Sequence, residues 1–83
     1  MPHFVYILLC SDNTLYTGYT TDVGRRVGEH NTGKGAKYTR TRRPVVLIYE
    51  EEHRSRNFAS KREIQIKNMR RSSKLFLCSA VHR

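Results

Sequence analysis

Residues 4 to 10 read Phe4-Val5-Tyr6-Ile7-Leu8-Leu9-Cys10, and every position except Tyr6 is plainly apolar. A strand with one wet face alternates apolar with polar side chains. This run does not, so it must be covered on both sides and lie at the centre of its sheet. Ser11, Asp12 and Asn13 supply a turn, after which Leu15 to Tyr19 is expected to return as an antiparallel neighbour. Gly18 interrupts that second strand. Two readings suit it: a bulge or close backbone contact, or a gap that lets a phosphodiester or a neighbouring helix approach.

Asp22, after Thr20 and Thr21, predicts an N-cap for a helix running to about Asn31. Gly24 and Gly28 each cost about 1 kcal/mol relative to alanine inside a helix, so this helix must be held by docking. Its docking stripe is Val23, Arg26, Val27 and His30, at i, i+3, i+4 and i+7. Two of those four positions are polar where a core-facing seam asks for apolar side chains. The plain reading has Arg26 lying along the sheet edge and His30 bonded to a backbone carbonyl. Beside tyrosines on the adjoining strands, the pair reads instead as part of a site.

Thr32 to Arg43 shows neither helical nor strand period and carries Lys34, Lys37, Arg40, Arg42 and Arg43 with two glycines and Tyr38. Such a segment can curl its amides toward an anion, neutralise phosphates and stack a ring on an unpaired base. It can equally be a solvated basic loop, and its spacing is not that of a Walker A loop. Pro44 closes it. Val45 to Glu50 is expected as the third strand, and Glu51, Glu52, His53 and Arg54 as a polar connection. Consecutive residues share no face, so Glu50, Glu51 and Glu52 read as exposed partners of nearby arginines. Ser55 or Asn57 should cap a second helix reaching Arg70 or Arg71, with Phe58, Ala59, Ile66 and Met69 inward. Glu63 falls at the edge of that stripe, where a surface pair with Lys67 is the simplest role. Ser72 or Ser73 would cap a third helix that closes the core with Leu75, Phe76, Leu77, Cys78 and Val81.

The expected architecture is therefore α+β: a three-stranded antiparallel sheet flanked by about three helices, in the order β-β-α-β-α-α. With 83 residues, one modest core and one domain over residues 1–83 are expected. Sixteen Lys and Arg against seven Asp and Glu give a net charge of +9, which suits a polyanionic partner, nucleic acid first. An anionic membrane is the rival partner. The run Val5 to Cys10 is too short to span a bilayer or to act as a signal peptide, so no membrane association and a soluble, cytoplasmic chain are expected. Cys10 and Cys78 lack CxxC spacing and read as free buried thiols.

Tyr6 on the first strand, Tyr16-Thr17-Gly18 on the second, Arg26 ten residues beyond Tyr16 and His30 one helical turn later form one pattern. Glu63 within Ala59-Ser60-Lys61-Arg62-Glu63 and the run GKGAKYTR from Gly33 to Arg40 complete it. This constellation resembles the GIY-YIG nuclease domain in its small stand-alone bacterial form. The departures are Phe4-Val5-Tyr6 for Gly-Ile-Tyr, Thr17 for Ile, and His30 where other members carry tyrosine; both phenols and Gly18 are retained. The resemblance implies a metal-dependent endonuclease acting on DNA, with single-stranded or structured DNA favoured, RNA as the other polymer, and 5′-phosphate and 3′-hydroxyl products. It implies that Glu63 holds a single divalent ion, Mg²⁺ or Mn²⁺, and that Arg26 grips the scissile phosphate. Tyr6 first, or Tyr16, would be the general base, helped by His30. Gly18, Lys34, Lys37, Tyr38, Arg40, Arg42 and Arg43 are the candidate nucleic-acid contacts. With no separate DNA-reading domain expected, affinity would come from the basic loop, a homodimer or a partner protein. The competing readings are a non-catalytic nucleic-acid-binding module built on residues 32–43 and, more remotely, a basic adaptor for an acidic protein.

Overall fold

The computed structural model describes the backbone of residues 1–81 and the side chains of residues 1–79. The elements are β1 (His3–Leu9), β2 (Leu15–Thr20), α1 (Val23–Asn31), α2 (Lys37–Arg40), β3 (Val46–His53), α3 (Arg56–Lys67) and α4 (Arg71–Val81). The sheet has the order β2-β1-β3 and is antiparallel throughout, so the uniformly apolar strand is central, as its composition demands. Alternation then divides its side chains. Val5 and Ile7 pack with Tyr49, Ala59, Ile66 and Cys78 on the side of α3 and α4. Tyr6, Leu8 and Cys10 pack with Val45, Tyr16, Val27 and Leu47 on the side of α1.

The hairpin turn uses Asn13 at a φ of 68°, a left-handed conformation that asparagine tolerates. Asp12 Oδ1 accepts from the Thr14 amide at 3.2 Å and hydroxyl at 2.6 Å. The β1–β2 register runs unbroken from Phe4↔Thr20 to Leu9↔Leu15, so Gly18 marks no bulge. The irregularity lies on the other side of β1, where Ile7 pairs with Tyr49 and Leu8 with Leu47. Asp22 caps α1, accepting from the Arg25 amide at 3.0 Å, and Ser55 caps α3 through the Phe58 amide. Asn31, at the last turn of α1, clamps the start of β3: its amide donates to the Val45 carbonyl and its carbonyl accepts from the Val45 amide, at 3.0 and 2.7 Å.

Four expectations are corrected. The loop after α1 contains a helical turn, α2. β3 does not stop at Glu50 but continues through His53, because Glu51 turns inward and finds partners. Its carboxylate accepts from Tyr49, Arg62 and His53, while Glu50 and Glu52 point outward. Phe58 is 53% exposed and α3 ends at Lys67, so only Ala59, Ile66 and Met69 of its anticipated stripe face the core. In α4, Cys78 and Leu77 pack inward while Leu75 and Phe76 are exposed; the Val81 side chain lies outside the described residues. Among the described residues no helix is long and apolar enough to cross a membrane.

Candidate active site

Tyr6, central on β1, sits directly opposite Gly18 of β2. A Cβ at Gly18 would lie 2.5 Å from the Tyr6 hydroxyl oxygen, 2.6 Å from Cζ and 3.0 Å from Tyr16 Cε2. The phenol ring therefore lies across the glycine, and the space that the missing side chain saves belongs to Tyr6. Gly18 is itself buried. This corrects the expectation that it leaves room for a phosphodiester, and removes it from the candidate nucleic-acid contacts.

Laid across Gly18, the Tyr6 hydroxyl reaches His30 Nε2 at 2.8 Å, and Tyr16 presents its ring to the same imidazole with centroids 5.2 Å apart. The polar positions in the α1 stripe are thus explained. His30 is wholly buried, and its second ring nitrogen, Nδ1, bonds Thr39 Oγ1 of α2 at 2.7 Å. Arg26, one turn earlier, donates to Glu29 at 2.9 Å, and its charge acts on the Tyr6 phenol. Glu63 of α3 is within electrostatic reach of the same hydroxyl. The predicted constellation is therefore gathered around Tyr6: His30 bonds its hydroxyl, the Tyr16 ring lies 6.4 Å away, and the charges of Arg26 and Glu63 reach it.

The electrostatics of that point favour neutral groups. Burial, with the charges of Tyr16 and Glu63 adding to it, outweighs the opposing influence of Arg26 and leaves the Tyr6 phenol pushed up to about 12. Burial, and then the Arg26 charge, push His30 below its ordinary value. A phenol and a neutral imidazole share the bond. Glu63 is partly buried and pairs with Lys67 at 3.1 Å. Lys67 is half exposed, so it can leave at little cost. Among the described residues no group of three or more His, Cys, Asp or Glu converges on one point. The one carboxylate here, Glu63, suits a hard divalent ion whose other positions are filled by water and phosphate oxygens.

The basic loop stands apart from its expectation in part. Lys34, Lys37 and Arg40 are exposed. Arg42 is not free: Nε donates to Asp12 at 2.9 Å, Nη1 to the Tyr38 carbonyl at 2.7 Å, and the guanidinium lies 3.9 Å over the Tyr38 ring. Arg43 donates to the carbonyls of Arg40 and Asn31, with Gly33 at a φ of +82° leaving it space. Two of the five cations hold the loop together. Tyr38 is 39% exposed but already stacked on Tyr16 at 6.0 Å, so an incoming base meets an occupied ring. Beside it, Thr14, Leu15, Tyr38, Arg71 and Lys74 line a cleft of about 230 Å³, which adds two cations of α4 that the sequence reading had not placed near the site. Thr39 was missed altogether. Its only sequence signal was a small hydroxyl residue within a run of cations.

The profile of the GIY-YIG catalytic domain matches residues 2–75. A UPF0213 protein of Staphylococcus haemolyticus (strain JCSC1435) is 59% identical over 73 residues, 88% of this chain and 89% of that one. A UPF0213 protein of Staphylococcus aureus (strain N315) is 56% identical over 75 residues, 90% of this chain and 92% of that one. Among structures determined by solution NMR, a UPF0213 protein from Bacillus halodurans superposes with a TM-score of 0.62 at 48% identity, covering 96% of this chain and 85% of that chain. A protein from E. faecalis superposes with a TM-score of 0.66 at 42% identity, covering 99% and 88%. With the profile spanning most of the sequence and the staphylococcal relatives more than half identical over most of their length, the chain belongs to the GIY-YIG family of nuclease domains.

Proposed function

We propose that this chain is a metal-dependent endonuclease that hydrolyses DNA phosphodiesters by water attack. The observation that carries this reading is the hydrogen bond between the Tyr6 phenol and the buried, neutral His30, with the charges of Arg26 and Glu63 in electrostatic reach. Hydrolysis needs a proton taken from water and negative charge offset on the phosphate. A phenol at about 12 is ionised to only ~10⁻⁵ at neutral pH, so Tyr6 works as a relay. Its oxygen accepts the proton of the attacking water as its own hydrogen passes to His30. Tyr6 is 1% exposed, so that water arrives with the substrate instead of from bulk. Arg26 turns its fork from Glu29 to the scissile phosphate, a two-point contact that lysine cannot reproduce. Glu63 would hold the Mg²⁺ or Mn²⁺ ion after releasing Lys67; when bound, the ion supplies positive charge that offsets the phosphodiester.

Substrate reaches the site along the cleft that Tyr38 shares with Arg71 and Lys74, with the exposed Lys34, Lys37 and Arg40 adding positive charge to the same loop. That path favours an unpaired or distorted strand, whose backbone can follow a narrow cleft beside Tyr38. The deep burial of Tyr6 favours one other reading, a nucleic-acid-binding module that keeps the fold without turnover. Labelled single-stranded DNA, duplex DNA and RNA, incubated with Mg²⁺, Mn²⁺ or EDTA, decide between the two. Cleavage by the parent that EDTA abolishes, and that Glu63→Ala and Arg26→Ala lose while still binding, supports the nuclease. Binding without cleavage under either metal ion supports the module.

A further inference from the structure

His30 has no exposed surface and uses both ring nitrogens, Nε2 toward Tyr6 at 2.8 Å and Nδ1 toward Thr39 Oγ1 at 2.7 Å. A neutral imidazole carries one N–H, so it donates at one of these bonds and accepts at the other. Thr39 settles which. Its hydroxyl lies 3.0 Å from the Ala36 carbonyl oxygen and donates to it. That oxygen has no second hydrogen to give, so it accepts at His30, and the imidazole hydrogen must sit on Nδ1. Nε2 then carries only its lone pair, the Tyr6 phenol donates to it, and all bonds point one way, from Tyr6 through His30 and Thr39 to the Ala36 carbonyl.

Gly35 belongs to the same device. A Cβ there would meet His30 Nδ1, and would stand 2.7 Å from Cγ and 2.8 Å from Cα. Only a residue with no side chain can cross this edge of the ring. The GKGAKYTR run, expected to curl around phosphate, instead turns Gly35, the Ala36 carbonyl and Thr39 inward onto one imidazole, while Lys34, Lys37 and Arg40 face out.

We propose that Thr39 is a positioning residue: it fixes His30 as the Nδ1–H tautomer, and so commits Nε2 to accept the Tyr6 proton. The groups facing His30 are Tyr6 from β1, Tyr16 from β2, Arg26 and Glu29 from α1 and Thr39 from α2; of these Thr39 alone is bonded to Nδ1. The catalytic consequence rests on the nuclease reading above, whereas the tautomer does not.

The experiment uses the full chain labelled with ¹⁵N-histidine, read by long-range ¹H–¹⁵N correlation at mildly alkaline pH, with His30→Gln identifying the His30 signals. The expected wild-type spectrum has Nδ1 in the protonated-nitrogen range and Nε2 in the lone-pair range. Thr39→Ser keeps that pattern. Thr39→Val, of nearly the same shape but unable to accept, lowers the Nδ1–H to Nε2–H ratio by roughly fivefold or more, the worth of one buried hydrogen bond. A wild-type His30 protonated on Nε2, or a Thr39→Val spectrum with the wild-type ratio, overturns the proposal. If Thr39→Val fails to fold, the wild-type and Thr39→Ser spectra still decide. In the cleavage assay Thr39→Val should lower kcat with KM unchanged and Thr39→Ser should restore it. Absence of cleavage by the parent would defeat the nuclease reading and leave the tautomer measurement standing.

Discussion

Tyr6 and Gly18 face each other across neighbouring strands, and the phenol ring of the first fills the volume that a side chain on the second would need. A glycine on a strand usually weakens it. Here it sets where the Tyr6 hydroxyl lies, and with it the 2.8 Å bond to His30.

Gly18→Ala should therefore act on the site more than on the fold. The new methyl group must displace the Tyr6 ring, at a cost of about 1–3 kcal/mol. The 2.8 Å contact to His30 breaks at the same time. We expect a modest loss in urea-unfolding stability and, where cleavage is measured, a loss of kcat of at least about 100-fold, on the scale of a misplaced general-base group. Wild-type activity in a folded Gly18→Ala protein would show that Tyr6 does not need this position.

The pH dependence of cleavage follows from the imidazole. His30 accepts a proton only when neutral, and burial followed by the Arg26 charge hold its pKa below the ordinary 6.5. Activity should rise with pH on an acid limb whose apparent pKa is under 6.5, then stay flat through neutral pH, because the Tyr6 phenol at about 12 sets no limit there. The same group affects stability. Its folded pKa is depressed, so its contribution is complete above the unfolded value and is lost as pH falls through the folded one. Arg26→Gln removes a charge that lowers His30, so the His30 midpoint, followed by NMR titration, should move upward. An unchanged or lower midpoint would show that Arg26 does not act on the ring.

Much of this was legible in the chain before it was folded. A run of seven residues in which only Tyr6 is not plainly apolar requires a central strand, and Arg26 and His30 stand out because a docking seam has no other use for them. What stayed hidden depended on partners far away in sequence. Thr39 looks like Thr41 until α2 turns it onto His30. Arg42 looks like Lys37 until the hairpin turn brings Asp12 to it across 30 residues. The end of the third strand is hidden because three glutamates in succession read as solvated, and only the bond from Arg62 gives Glu51 an inward place. Phe58 reads as part of the apolar stripe beside Ala59, yet the helix turns it outward, 53% exposed.

Thr17 is 3% exposed, opposite Ile7, and its hydroxyl has no hydrogen-bond partner. A buried, unsatisfied hydroxyl costs about 1 kcal/mol or more, and the family's Tyr-Ile-Gly pattern places an apolar side chain there. Thr17→Val should thus stabilise the fold by about 1 kcal/mol, raising Tm by roughly 4–8 °C in a domain of this size. Thr17 pairs with Ile7, and alternation along the strands puts both on the face opposite Tyr6 and Tyr16, so cleavage should be unaffected. A fall in Tm would mean that the hydroxyl is satisfied in solution.

Salt dependence separates the loop cations by what they do. If Lys34, Lys37, Arg40, Arg42 and Arg43 all met phosphates of a single strand, log K against log salt would slope by about −3.5, at ~0.7 per phosphate. With Arg42 and Arg43 engaged inside the loop, its three exposed cations supply only about −2 of that slope. Arg40→Ala, Lys34→Ala and Lys37→Ala should each reduce the measured magnitude by roughly 0.7 without changing stability. Arg42→Ala should behave differently. It loses the Asp12 pair and the contact with Tyr38, and so lowers the urea midpoint while leaving the slope nearly as it was. Binding by fluorescence anisotropy to a labelled single strand across a salt series, with urea unfolding alongside, reads both quantities. A slope near zero in the parent would mean that these cations meet no phosphate.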